Sequence, residues 1–580
     1  MAKAETKATT KDPEGPAHPT SSAHHHAGKF TSRQRTIALV IVALAFVIDL
    51  LDNTIVNIAI PSIQIDLGAS YSAIQWLTAG YALAFAVLLI TGGRLGDVVG
   101  YKKLFMFGVA GFTFASLISG VAWSTEILIG ARLLQGAMAA LMVPQVMSLM
   151  QVMYKPKERG AVMGLFGALG GLAASLGPVI GGLLIQANIA GLDWRPIFLI
   201  NIPIGLFAFF AAIKYLPNGK SPHPLKLDIF GTGLIIVALG LLLFPLIEGR
   251  ELDWPAWVFI MMAISLPVFA IFWWWQIKKN SKDGSPLIIP ALFKANSFRI
   301  GLLVNIVFEM IMLGFFFTFT LVLQIGLGYK VLEAALTGLP TAVGISVSIG
   351  FLAQKLTKVL GRYTMTLGAV LMAIGLGAIV LALSISGHDT QPWQFIPGLL
   401  LTGAGMGLVM GLMFSVTLKD VDTKHAGSAS GTLNAVSQLG GAIGIAIVGV
   451  IFFGHLTSNA ATSFANVEPQ IRSELTTQMV PAQAQDAIVK SIQTCYVDRT
   501  SQKDSTQTPE SCKTLETTPA TQTLGSKKLG DVIVSATKQA ASDNFTNAFR
   551  ITMIYAVSLV GVTFLLSFLL PRKINFEMSH

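Results

Sequence analysis

Two acids interrupt the first apolar stretch of the chain. From about Thr36 to Ile63 the residues are hydrophobic except at the centre, which reads Asp49-Leu50-Leu51-Asp52-Asn53-Thr54-Ile55-Val56-Asn57. A run of that length fits a transmembrane helix. An ionised carboxylate near mid-bilayer costs about 2.5 kcal/mol or more on insertion scales, so it needs a partner, a water-filled cavity or a proton. Asp49 and Asp52 stand three residues apart, on one helix face with Cβ atoms about 5–6 Å from each other, and could titrate as a coupled pair. Acids so placed suit proton movement coupled to movement of something else. A third acid, Glu309, lies in the middle of a later apolar run, Asn305-Ile306-Val307-Phe308-Glu309-Met310. The same cost places it against a cavity or a partner. Arg132 sits a few residues inside another run, in Arg132-Leu133-Leu134-Gln135-Gly136. An arginine there can snorkel to the interface, but Gln135 one turn on gives it a polar face and favours a cavity. Asp52, Glu309, Asp49 and Arg132 are therefore the candidates for proton coupling. Asp52, Glu309, Gln135 and the aromatic Phe315 are the candidates for substrate contact. Phe315 to Phe319 suit a bulky apolar ligand and suit lipid equally.

The elements that must position these residues are membrane helices. Of 580 residues, 53% are hydrophobic and 12% charged, with a mean hydropathy of +0.65. Soluble domains carry about 25% charged residues. The net charge of +10 does not point to nucleic acid, because the lysines and arginines sit in short loops between apolar runs. Fourteen such runs follow one another between residues 36 and 570. Basic residues concentrate in alternate loops: Lys102 and Lys103, Lys155 to Arg159, Lys278 to Arg299, Lys355 to Arg362, then Arg572 and Lys573. That bias predicts both termini in the cytoplasm and an even number of spans. Residues 1–35 and 571–580 read as cytoplasmic tails, the first disordered, and the run His24-His25-His26 in it as incidental.

The segment 455–544 between spans thirteen and fourteen is polar and is expected outside. Two amphipathic stretches, Phe464 to Leu475 and Ala482 to Ile492, suit a helical cap. Cys495 and Cys512 lie in this segment, and an external compartment favours a disulfide that closes 18 residues. The loop after span two reads Gly92-Gly93-Arg94-Leu95-Gly96-Asp97-Val98-Val99-Gly100-Tyr101-Lys102-Lys103, whose small residues allow a tight turn between close helices. Span five carries Gly177-Pro178-Val179-Ile180-Gly181-Gly182, a site for a kink or a close helix contact. No P-loop lysine motif, His-Glu-x-x-His or Gly-x-Ser-x-Gly occurs, so no enzyme chemistry is expected.

Taken together, these residues resemble the fourteen-span drug:H⁺ antiporters of the major facilitator superfamily. The likeness rests on Leu51 to Pro61, the loop Gly93 to Lys103, Arg132 to Gly136, Gly177 to Gly182, and Asp193-Trp194-Arg195 with Phe198 to Gly205. It implies an all-α membrane protein with two six-helix bundles, residues 36–216 and 298–570, and two extra helices in 226–280 between them. It further implies alternating access, with Gly93, Asp97, Gly100, Lys102, Gly177, Pro178 and Gly181 as the conformational switch. Asp97 would touch the start of span thirteen near Gly427 when the carrier faces outward. The expected activity is export of hydrophobic, cationic compounds across the plasma membrane by a monomeric carrier. Lipids surround it, the proton gradient drives it, and no cofactor, metal or nucleic acid is needed. An exporter or importer of one metabolite is the alternative.

Overall fold

The computed structural model describes residues 31–570 apart from 222–223, 423–424, 479, 502–508 and 518–525. The tails, His24 to His26 included, lie outside the described residues. No strand occurs among the described residues. They hold fourteen helices long and apolar enough to cross a membrane: Ser32–Leu67, Tyr71–Val99, Tyr101–Gly120, Thr125–Met153, Val162–Ala187, Pro196–Tyr215, Ile229–Glu248, Ala256–Asp283, Asn296–Gly326, Val331–Leu360, Tyr363–Asp389, Pro392–Thr417, Ala426–Thr477 and Ser535–Ser567. We call these spans 1 to 14.

Local sequence sets their ends. Span 1 begins at a capping box, in which the Thr31 hydroxyl accepts from Gln34 N and the Gln34 side chain accepts from Thr31 N. It stops at Gly68, whose φ of 63° suits a residue without Cβ. Ser70 then caps span 2, so the two helices turn back within three residues. Asp228 caps span 7 by accepting from Gly231 N at 3.0 Å. The apolar side chains of span 8, among them Ile260, Leu266 and Trp274, face outward, as lipid contact requires.

Spans 1 to 6 pack on one another, and so do spans 9 to 14. Spans 7 and 8 are central in the sequence but peripheral in space. Span 7 lies against spans 2 and 13, and span 8 lies mainly against span 7. The two bundles meet along span 2 with span 13, span 5 with span 10, and span 1 with span 9. We call the end that bears residues 455–544 the cap end, and the other the terminal end. At the cap end, Tyr71 stacks on Phe453, Gln75 presses on Gly449, and a Cβ at Gly182 would stand 3.0 Å from Leu332 Cα. Toward the terminal end, a Cβ at Gly164, Gly167, Gly350, Gly427 or Gly431 would meet nothing within 4 Å. Contacts between the bundles close the cap end, whereas these glycines face open space at the terminal end.

The segment expected as a loop is largely helical. Span 13 does not stop near residue 454 but runs to Thr477 as one helix of 52 residues. Its Phe464, Val467, Ile471 and Leu475 recur every three or four positions. They form a core with Ile488, Val489, Ile492 and Tyr496 of the helix Ala482–Ser501. Tyr496 donates to Ala540 O at 3.0 Å, and Asn544 donates to Leu456 O at 2.8 Å, which ties the cap to both flanking spans. Cys495 and Cys512 are joined, with Cα atoms 4.6 Å apart. Replacing both by serine is expected to cost the cap about 3 kcal/mol through the freed chain entropy. Hydrogen exchange should show faster opening confined to Ala482–Ser501, with spans 1 to 6 unchanged.

Candidate functional site

Four helices of the first bundle each contribute polar side chains to one buried cluster. Asp52 comes from span 1, Ser116 from span 3, Arg132 and Gln135 from span 4, and Asn201 from span 6. Asp52 and Arg132 form an ion pair through Oδ2 and a guanidinium N–H, and both side chains are fully buried. Asp52 Oδ1 accepts from Gln135 Nε2 and from Asn201 Nδ2, each at 2.8 Å. Gln135 Oε1 accepts from Arg132 at 2.7 Å, and Ser116 Oγ takes a second N–H from Gln135 at 2.9 Å. Arg132 Nε donates to Leu77 O at 3.1 Å. One guanidinium nitrogen, NH2, has no partner. The guanidinium also lies 4.4 Å from the centre of the Tyr81 ring. Tyr81 in turn donates to Asp49 Oδ1 at 2.5 Å, so both acids of span 1 belong to one network. A buried charge is tolerated on these terms, paired and with its remaining lone pairs filled.

Sequence reasoning did not assign Asn201, Ser116 or Tyr81 to the site. A serine and a tyrosine within apolar runs carry no signal of their own, because only the packing shows which face they share with Asp52.

The other candidates lie elsewhere. Glu309 is on span 9 of the second bundle, half-buried beside Gly440, and has no hydrogen-bond partner among the described residues. Its neighbour Asn305 is satisfied by Leu433 O and Ser437 Oγ. Phe315 does not line an opening: its ring is buried and stacks on Phe319 at 5.2 Å within the aromatic core of the second bundle. Asp52 and Gln135 likewise face no free space in this conformation, because Arg132 and Asn201 fill the carboxylate.

The glycines of span 5 are where helices approach. A Cβ at Gly177 would fall on Thr54 Oγ1, and one at Gly181 would press Ile58 at 2.9 Å, both on span 1. Pro178 lies within the helix between them. Gly182 looks the other way, onto Leu332 of span 10. Span 5 therefore joins span 1 to the opposite bundle through positions that take no side chain.

The segment expected as a loop is the last turns of span 2, helical to Val99; there the close contacts belong to Gly92 and Gly96, against Ala140 and Gln145 of span 4, while Gly93 has ordinary room beside Pro144. Gly100 ends span 2 with φ 110°, and Lys102 donates to Ile213 O at 2.8 Å. Asp97 accepts from Tyr101 at 3.0 Å, and among the described residues nothing stands within 4 Å of a Cβ at Gly427, so the expected contact there is not formed in this conformation. Arg94 instead reaches across to Ser285 O at 2.9 Å and to Pro286 O, beyond span 8. At the cap end, Trp194 and Arg195 both donate to Asp66, at 3.0 and 2.8 Å. Partial burial, with Asp66 nearby, pushes the Asp193 carboxyl up from its ordinary value.

Two packed bundles of apolar helices, one holding a buried charge network, define a multi-pass membrane transporter. The chain belongs to the Major Facilitator Superfamily, whose sequence model matches residues 42–445. Its fourteen spans fit the drug-efflux type of that family. The probable actinorhodin transporter of Streptomyces coelicolor is 39% identical over 548 residues, which cover 94% of this chain and 93% of that one. The puromycin resistance protein pur8 of Streptomyces alboniger is 31% identical, over 74% of this chain and 86% of its own. The methylenomycin A resistance protein of Bacillus subtilis is 31% identical, over 75% and 91%. Among solved structures, a bacterial homolog of the human lysosomal transporter Spinster, inward-facing and unoccupied, aligns with a TM-score of 0.57 at 15% identity, covering 94% of this chain and 100% of that one. At that identity the likeness shows the fold.

Breaking a buried ion pair from one side costs about 3–5 kcal/mol, whereas replacing both partners by apolar residues is often neutral. Arg132→Leu alone should therefore lower the thermal midpoint of the purified protein sharply. Adding Asp52→Leu to it should recover most of the loss, a non-additivity that thermal unfolding of the two single variants and the double variant would read directly.

Proposed function

We propose that the protein exports hydrophobic small molecules, cationic ones among them, across the plasma membrane in exchange for protons, by alternating access. The observation that carries this reading is the contrast between its two deep carboxylates. Asp52 is sealed and fully partnered in one bundle, while Glu309 stands half-buried and unpartnered in the other. An unpartnered ionised carboxylate at membrane depth is costly, and either a proton or a substrate cation removes the cost. Glu309 is thus the better placed of the two to meet a cation. Asp52 is the better placed to switch the bundle: a proton on it dissolves the ion pair and frees Arg132 from span 1.

The lysine and arginine bias of the loops supports cytoplasmic termini and an external cap. On that orientation the terminal end, where glycines of spans 5, 10 and 13 face open space, is cytoplasmic, and the described conformation reads as the loading state. The cycle then runs in one direction. A substrate cation enters from inside and settles by Glu309, the terminal end closes, and the cap end parts. A proton from outside displaces the cation and is released inside when the carrier returns. The carrier acts alone, without a cofactor. Relatives named for resistance to, or transport of, antibiotics support substrates of that class. A narrower reading, export of a single compound, draws on the actinorhodin relative, whose match extends over 548 residues and so includes much of the cap.

Purified protein in vesicles with an imposed pH gradient tests this. Uptake of a fluorescent cationic dye should follow the gradient and collapse when it is dissipated. Asp52→Asn should reduce gradient-driven uptake to the level of empty vesicles while leaving dye binding in place. Glu309→Gln should weaken cationic dyes and spare neutral ones. Uptake by Asp52→Asn equal to the unmodified protein, or indifferent to the gradient in both, would overturn the proposal.

A further inference from the structure

Span 7 makes directed polar contacts with one bundle and almost none with the other. At its terminal end, Thr232 shares a hydrogen bond with Thr91 of span 2 at 2.9 Å, and Arg94 of span 2 holds the chain that leaves span 8 at Ser285 and Pro286. At its cap end, Glu248 accepts from Trp76 Nε1 at 2.8 Å and from Ser72 Oγ at 3.2 Å, and Glu251 accepts from Ser72 N at 2.9 Å. Every one of these partners belongs to span 2. Toward span 13, span 7 offers apolar side chains, Leu243 and Ile247 against Ala442, Ile445 and Ala446. Apolar contact of this kind has no direction and can part or slide, whereas hydrogen bonds fix geometry. Spans 7 and 8 are therefore fastened to the first bundle at both ends of span 2, although in sequence they join the two halves.

One residue between the two acids breaks the pattern. Arg250 lies between Glu248 and Glu251, in a turn closed by Trp254 N to Gly249 O at 2.8 Å. Its guanidinium carbon stands 5.1 Å from the centre of the Tyr71 ring and 5.8 Å from that of Phe453. Those two rings are themselves stacked, 4.2 Å apart and 26° from parallel, and they come from opposite bundles. A cation over two ring faces draws both toward itself. For the cap end to part, Tyr71 must leave Phe453, and Arg250 must then give up one ring.

We propose that Arg250 is a positioning residue for transport, which holds the cap-end gate shut by bridging Tyr71 and Phe453, and that spans 7 and 8 deliver it as a rigid attachment of the first bundle. The proposal rests on the alternating-access reading above. It assigns the additional helix pair a task in the cycle: the pair biases the carrier toward the state that is open at the terminal end.

Distance measurement between spin labels tests it without reference to transport. Ile65 and Trp393 are exposed at the cap ends of spans 1 and 12, and Cys495 and Cys512 are already joined, so Ile65→Cys with Trp393→Cys can be labelled selectively. The unmodified background should show one dominant short distance. Arg250→Ala should raise the ratio of long to short distances about five- to thirty-fold, the change that loss of a partly desolvated cation–π contact allows. Arg250→Lys should restore most of the short distance, which a merely structural role would not require. Should Arg250→Ala fail to fold, Glu251→Gln, which loosens the turn from Ser72, should give a smaller shift in the same direction. If pH or substrate populates the long distance but neither Arg250→Ala nor Glu251→Gln does, this proposal is overturned and alternating access stands. If no condition and no variant yields a second distance, alternating access falls with it.

Discussion

Arg132 and Asp52 meet where neither could stay charged alone. The low dielectric of a membrane interior makes each expensive and their attraction strong, and the balance is favourable only when the geometry is good and the spare lone pairs are filled. Much of the first bundle follows from that requirement. Gln135 and Asn201 complete Asp52, Ser116 completes Gln135, and the Leu77 carbonyl takes Arg132 Nε. Spans 1, 2, 3, 4 and 6 are thereby fixed in register by hydrogen bonds rather than by apolar contact alone. Span 5 is the exception. Its helix meets span 1 through the Arg35–Glu158 ion pair at its exposed start and, deeper in, through Gly177 and Gly181, where no hydrogen bond is found among the described residues.

The second bundle is organised differently. Its centre is a cluster of phenylalanines: Phe315 stacks on Phe319, Phe319 meets Phe395 edge-on and Phe549 at a tilt, and Phe317 meets Phe453 edge-on. Aromatic packing of this kind is dense but makes few demands on orientation. Glu309 lies beside Gly440 of span 13, without a hydrogen-bond partner among the described residues. One half of the molecule thus holds its carboxylate in a hydrogen-bonded network, and the other holds its carboxylate without a hydrogen-bond partner among the described residues. The helix pair added between the halves takes its polar fastenings from span 2 and so sides with the networked half.

Much of this was legible in the residues. Fourteen apolar windows, the alternating basic loops and the cost of buried acids lead to the span count and to Asp52, Arg132, Gln135 and Glu309 as residues of interest. That Asp52 and Arg132 touch was not legible, since 80 residues separate them and either could have found another partner. Asn201 and Ser116 were hidden because one polar residue on an otherwise apolar helix says nothing about direction. Phe315 lies in the core in this conformation, because an aromatic that suits a ligand also suits a core. The Asp97 contact was expected for an outward-facing carrier, and a single conformation cannot display a contact that belongs to another. The end of span 13 was set too early because the polar content rises near residue 455 while nothing there breaks the helix.

That unbroken helix has a mechanical meaning. At 1.5 Å per residue, span 13 is about 78 Å long, more than twice the apolar thickness of a membrane. It lines the seam with span 2 and then carries the cap on its far half, where Asn544 and the neighbouring core grip it. A rod held at its middle converts a small tilt into a large sweep at its tip: about 10° at the seam displaces the far end by roughly 7 Å. The cap cannot stay still while the seam opens. On the alternating-access proposal the cap, stapled by its disulfide, would be a pointer whose position records which way the carrier faces.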